Sequence, residues 1–254
     1  MADAGAAVSI GGRMEEHAYA ELYQLEQNHW WYRGTRSVYR ALLRQYVPAS
    51  CDSVLDLGCG TGGNLKLLSD WGAVIGLEPW RPALMLCPSG VAALVQGKAE
   101  TLPFYDDTFG LVAMLGVIEH VADDVGMLRE ARRICRPGGI ILLLTSAFMF
   151  LWSQHDEVNR HVHRYTIREL QGKAKGVGLQ VRYSSYLNFF LFPSAVFVRL
   201  IQHVLPRRGG PHMDMFPVSE PFATVLTGLL ALEGRLMRWL KFPFGVSLVM
   251  VLER

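Results

Sequence analysis

The chain has 254 residues, half of them hydrophobic and 19% charged, with a formal net charge of +2. That length and apolar content suit one large core with embellishments and exclude an intrinsically disordered chain. The near-neutral balance excludes a nucleic-acid partner recruited by charge alone, and four cysteines without metal or disulfide spacing (Cys51, Cys59, Cys87 and Cys135) fit a reducing cytoplasm.

Residues 1–13 are Ala/Gly-rich, lack an apolar signal core and read as a mobile N-terminus. A helical cap is predicted over 14–48. Its second half, Thr35 to Val47, is amphipathic. Tyr39, Leu42, Leu43 and Tyr46 fall on one face; Arg36, Arg40 and Arg44 fall on another, with Arg33 just before. The arginines read as a solvated face, or Arg33 and Arg36 reach an anionic substrate group. Next comes Val54-Leu55-Asp56-Leu57-Gly58-Cys59-Gly60-Thr61-Gly62. The apolar run predicts a buried strand, and the alternate glycines a tight turn that lets backbone approach a ligand. A second run, Ala73-Val74-Ile75-Gly76-Leu77, ends in Glu78, where a carboxylate can accept hydrogen bonds from a ribose diol. Gly58, Gly60 and Gly63 also satisfy the dinucleotide fingerprint of an NAD-dependent oxidoreductase. Asp56 argues against it, because a carboxylate there repels a pyrophosphate and attracts a cation.

Further along, Asp123-Asp124 caps a helix running to Cys135. Thr166 caps a helix with Glu169 completing a capping box, and Gly176 or Gly178 ends it. Leu179 to Tyr186 and Val246 to Leu252 read as the last two strands. Between them an apolar helix runs through Leu205, a turn-rich loop spans Pro206 to Pro221, and a second helix runs from Phe222 to about Leu240. Neither helix reads as a membrane span. The insertion is extra core packing, a lid over an apolar substrate tail, or a surface that docks on a bilayer. The organisation is thus a core of 49–186 and 243–254 with an insertion of 187–242.

Asp56-x-Gly58-x-Gly60-x-Gly62 resembles the first motif of the class I S-adenosylmethionine-dependent methyltransferases, in their small-molecule or lipid-type (type 11-like) branch. Gly97 to Phe104 resembles that family's segment after the third strand, Phe109 to Leu115 its fourth strand, Val117-Ile118-Glu119-His120-Val121 the loop at that strand's end, and Arg136-Pro137-Gly138-Gly139 before Ile140 to Leu144 the Pro-Gly-Gly turn into its fifth strand. The resemblance implies an α/β fold: a Rossmann-like, seven-stranded, mostly parallel sheet with helices on both faces. The N-terminal helical cap and the helical insertion before the last strand are added to it. It implies S-adenosyl-L-methionine as cofactor, held by Asp56, Gly58, Cys59, Gly60, Gly62, Glu78, Ala99, Glu100 and Leu115. The family often has an acid where this chain has Lys98, so the adenine contact falls to Ala99 and Glu100.

The run Phe148 to Tyr165 follows the fifth strand, where open parallel sheets bind ligands, and is placed to line an acceptor site. It has an aromatic half and then a polar half with three His, two Arg, one Asp and one Glu. With His29-Trp30-Trp31-Tyr32 it resembles a subgroup of bacterial methyltransferases. The acceptor would be bound by Trp30, Trp31, Tyr32, Arg33, Arg36, Phe148, Trp152, Asp156, Arg160, His163, Arg164 and Tyr165. Candidate bases are Glu157, His161 and His155. If magnesium is used, Asp156 or Glu157 would hold it. The favoured acceptor is an amphiphile with an isoprenoid or lipid-like tail and an anionic head, such as a prenyl diphosphate methylated at carbon. The alternatives are O- or N-methylation of an aromatic or polyketide-like metabolite in secondary metabolism, and a non-catalytic cofactor-binding or membrane-docking subunit. No nucleic acid is expected, and the setting is cytoplasmic with peripheral contact at the inner membrane face.

Overall fold

The computed structural model describes residues 16–204 and 218–254. Residues 1–13, predicted to be a mobile terminus, Leu205 and most of the predicted turn-rich loop lie outside them. Seven strands form one sheet in the order β3-β2-β1-β4-β5-β7-β6: β1 Ser53–Leu57, β2 Ala73–Glu78, β3 Ala93–Gln96, β4 Phe109–Leu115, β5 Cys135–Ser146, β6 Gln180–Leu187 and β7 Ser247–Glu253. All neighbours pair in parallel except β7, which runs antiparallel to β5 and β6. Parallel strands covered on both faces need apolar residues at every position. Val54, Leu55, Leu111, Val112, Ile141 and Leu142 are accordingly all buried.

One face of the sheet packs on α5 (Asp124–Ile134) and α7 (Ile167–Gly176) through Met127, Leu128, Ala131, Leu170 and Ala174. The other packs on α2 (Trp30–Tyr46), α3 (Leu65–Leu68) and α9 (Glu220–Leu236) through Val38, Leu42, Leu43, Leu65, Leu68 and Leu230. The remaining helices are α1 (Glu16–Asn28), α4 (Arg81–Leu86), α6 (Gln154–Val158) and α8 (Phe192–Val204).

Several boundaries differ from the sequence reading. The second cap helix starts at Trp30 rather than Thr35, because His29 caps it: its Nδ1 accepts from the Trp31 N–H at 3.3 Å. The Pro-Gly-Gly turn is absorbed into β5, whose register against β4 shifts between Phe109 and Leu111. Thr166 does cap α7, but Glu169 completes no capping box. Its Oε1 lies 2.9 Å from His163 Nε2 and 3.5 Å from Lys173 Nζ. A capping box forms instead at α6, between Ser153 and Asp156.

The insertion backs the N-terminal cap. α2 and α9 cross where both are glycine. A Cβ on Gly34 would stand 2.5 Å from Leu230 Cδ1, and one on Gly234 would stand 3.0 Å from Val38 Cα. The insertion is tied down by Glu233, fully buried, whose carboxylate accepts from the Asn188 and Phe190 N–H groups at 2.8 and 3.1 Å. Among the described residues no helix is long and apolar enough to cross a membrane.

Candidate active site

The glycine loop leaves the carboxyl end of β1 at the sheet's rim. Gly58, Gly60 and Gly62 all take positive φ (75°, 56° and 87°), a region other L-residues rarely adopt. The Gly58 and Cys59 N–H groups donate to Leu77 O, pinning the loop to β2. Gly76 gives the loop room, since a Cβ there would stand 2.9 Å from Cys59 Sγ.

Carboxylates dominate this rim. Asp56 is 2% exposed, and its Oδ2 is buried without a hydrogen-bond partner. Glu78, also buried, accepts from the Gly60 N–H and the Trp80 N–H, each at 3.2 Å. A carboxylate offers about four lone-pair sites, so a diol can still be accepted. Burial pushes the Asp56 carboxyl up to about 8, with the fields of Glu26 and Glu78 adding to it. Glu78 is raised by burial as well. An unpartnered carboxylate beside bare backbone fits a cationic ligand.

The sign of the pH effect follows. A carboxyl whose folded pKa is raised stabilises the fold fully below its unfolded value near 4, and that contribution is lost as pH rises through about 8. The ligand-free protein is therefore expected to melt lower at pH 8.5 than at pH 6, while affinity for a cationic nucleoside rises over the same range. The rise is up to about tenfold per pH unit below the pKa. Thermal shift and calorimetry across pH 6–8.5 check both slopes.

The segment after β5 folds over the ends of β4 and β5. It departs through Phe148 (φ 59°) and returns when Tyr165 pairs with Ala147 in a parallel bridge. Inside the loop, fully buried Asp156 collects three partners. Arg164 donates from Nε and Nη2 at 2.7 and 2.9 Å, the Ser153 N–H at 2.8 Å, and His161 Nδ1 lies 2.8 Å from Oδ1. Burial raises the Asp156 carboxyl, but these hydrogen bonds outweigh it and hold it well below the usual range. Asp156 thus fixes the His161 ring, as carboxylates orient catalytic imidazoles. His120 meets His161 edge-on at 4.7 Å, and His155 does so at 5.9 Å.

These contacts correct several sequence-level roles. Asp156, Arg164 and Tyr165 were expected to line the acceptor. Instead Arg164 is 3% exposed and also donates to Ala147 O, while Tyr165 is fully buried and donates to Asp124 Oδ2 at 2.8 Å. Both oxygens of Asp156 are taken by Arg164, so a magnesium ion would have to displace a buried guanidinium. No cluster of metal-ligating residues occurs among the described residues. Glu157 is exposed, away from the buried dyad. His155 is half-buried beside Asn159, whose side-chain amide lies 3.3 Å from its ring nitrogens. His163 is held by Glu169, and Arg160 is exposed. Arg33 is exposed and 3.8 Å from Glu220. Arg36 is turned toward the glycine loop, donating to Gly63 O at 3.4 Å. Trp30, Trp31, Tyr32, Phe148 and Trp152 are half-buried, as is Leu115 at the end of β4; Ala99 is buried and Glu100 exposed.

Three residues around this rim were given no site role by the sequence reading. Glu26 from α1 lies on the glycine loop. Tyr39, taken for core, feels the charges of Glu119 and Asp56, and its hydroxyl is raised chiefly by burial. Glu119, buried after β4, accepts from Thr145 Oγ1 at 3.0 Å, and its backbone carbonyl accepts from the Val162 N–H at 2.7 Å. An acid at the carboxyl end of a central strand was a usable signal for Glu119; nothing local marks Glu26.

Residues 55–143 match the family model described as a methyltransferase domain. Residues 55–143 are thus similar to a methyltransferase domain, and the fold is that of the class I S-adenosylmethionine-dependent enzymes. It is 33% identical over 122 residues to a demethylmenaquinone methyltransferase of Roseiflexus castenholzii, covering 45% of this chain and 50% of that one. It is 32% identical over 105 residues to norajmaline N-methyltransferase of Rauvolfia serpentina, covering 37% and 36%. The chain spans about half the length, or less, of these curated relatives. A chain from the complex between the Haloferax volcanii Trm112 methyltransferase activator and a methyltransferase superposes with a TM-score of 0.62 at 20% identity, over 94% of this chain and 95% of that one.

Proposed function

We propose that the protein is an S-adenosylmethionine-dependent methyltransferase of a small amphiphilic acceptor. The observation that carries the first part is the buried, unpartnered Asp56 carboxylate beside a glycine loop of positive φ. When bound, the donor supplies a methyl group already activated on a sulfonium, so alignment accounts for much of the rate. Asp56 and Glu78 hold the donor's charge and ribose. His161, fixed by Asp156, takes the proton that the acceptor loses, at its Nε2. Glu157 and His155 are the alternative bases; exposure counts against the first.

An apolar route supports the acceptor class. Phe148 lies 4.7 Å from Tyr186, 5.3 Å from Phe150 and 5.9 Å from Phe192, and Phe192 lies 5.1 Å from Phe244. This ladder leads from the end of β5 to an open groove of Phe192, Pro193, Val196, Phe197, Leu200 and Phe244. A long tail would lie along it, with exposed Arg33 and Arg160 to meet an anionic head such as a prenyl diphosphate. The demethylmenaquinone methyltransferase among the relatives supports a small-molecule acceptor. Exposed Phe197, Leu200 and Ile201 on α8, and Trp239 beside Arg238, would let the protein work at the inner membrane face.

The test is calorimetry with S-adenosylmethionine, followed by turnover on tailed diphosphates and on tail-free phenols and amines. Turnover confined to the tail-free set moves the reading to O- or N-methylation, and binding without any turnover makes the protein a scaffold. His161→Asn is expected to lower kcat by about 10²–10⁴-fold with donor affinity kept, the usual worth of a general base. Single-turnover methyl transfer measures it.

A further inference from the structure

The glycine loop carries a third carboxylate. Glu26, 8% exposed, reaches it from α1. Its Oε2 accepts from the Thr61 hydroxyl and from the Gly63 N–H, the latter at 3.2 Å. Its Oε1 lies 3.6 Å from where a Cβ would stand on Gly60. A Cβ on Gly63 would stand 2.8 Å from Oε2, so the bare loop is what admits this side chain. Among the described residues, the groups around Glu26 are Thr61 and Gly63 of the loop, Tyr32 and Arg36 of α2, Asp56 and Glu78 of β1 and β2, and the Cys87 thiol. Among the described residues, three carboxylates thus border one loop, with the Arg36 guanidinium beside them. Burial pushes the Glu26 carboxyl up to about 7, against the opposing pull of Thr61, Gly63 and Arg36.

We infer that Glu26 binds the ammonium group of the donor's amino-acid end, so that α1 closes over the donor through a charge contact. The inference rests on the donor proposed above. Like charges left facing each other in a buried site are costly, and an ammonium placed among them removes that cost. Arg36, donating to the loop at Gly63 O, is placed to meet the neighbouring carboxylate of the same amino-acid end.

Three nucleosides separate the possibilities. S-adenosylmethionine and S-adenosylhomocysteine both carry the ammonium, and 5′-methylthioadenosine lacks the amino-acid end. By calorimetry, Glu26→Gln is expected to weaken the first two at least about tenfold and to leave methylthioadenosine within about twofold. Glu26→Asp, which keeps the charge on a shorter arm, is expected to fall between. Equal loss for all three ligands would mean that the loop has collapsed, and would overturn the inference. So would unchanged affinity, or tighter S-adenosylhomocysteine binding, which would make Glu26 a plug. If the wild-type protein binds methylthioadenosine but Glu26→Gln spares the other two, only this inference fails. If the wild type binds none of the three, the proposed donor fails with it.

Discussion

Replacing Asp56 by alanine is expected to cost the protein its methyl donor. The side chain is buried, and its Oδ2 has no partner within the protein. Its preference for a cation is therefore unspent until ligand arrives. Removing one partner of a desolvated, hydrogen-bonded charge pair costs about 2–5 kcal/mol, or roughly 30- to 4,000-fold in affinity. The fold should not suffer, because a buried carboxyl raised to about 8 contributes no favourable charge contact to the ligand-free state. Asp56→Ala is expected to melt at or above the wild-type temperature while S-adenosylmethionine binding disappears from calorimetry. Retained affinity would remove the donor from this rim altogether.

Asp156→Ala is expected to do the opposite: to damage the fold first. Arg164 would remain buried with its guanidinium facing an empty space. Breaking such a pair costs about 3–5 kcal/mol, which for a domain of this size lowers Tm by roughly 6–20 °C. The His161 ring would also lose its anchor, so any surviving activity should fall with it. Differential scanning calorimetry measures the first effect. The double substitution Asp156→Leu, Arg164→Met removes both charges together and is expected to recover much of the lost stability while leaving His161 unanchored. A melting temperature unchanged in the single variant would show that the pair is not buried.

The legible parts of this molecule were those written in consecutive residues. Asp56, the glycines and Glu78 sit at strand ends within thirty residues, so apolar runs and turn residues placed them together before any coordinates. β1, β2, β6 and β7 emerged for the same reason; β4 and β5 came from the family resemblance, and β3, largely exposed, carried no apolar signal of its own. Glu26 and Tyr39 were hidden because their roles depend on how α1 and α2 settle on the rim, which periodicity does not encode. Asp156 was misplaced for a subtler reason. A dense polar run after a parallel strand reads as ligand-facing, but Arg164, eight residues on, folds back and draws the carboxylate inward. Charge content alone did not tell a solvated or ligand-facing group from a buried pillar. The late insertion was visible as extra length, and its partner was not.

That partner gives the insertion a consequence for protein engineering. Gly34 and Val38 meet Leu230 and Gly234 across about two hundred residues of chain. A graft that replaces 187–242 with a foreign acceptor-selecting element would strip α2 of its backing, even with every donor residue intact. Such chimeras need matched surfaces from both ends of the polypeptide, and side-chain volume gained at one glycine has to be surrendered opposite it.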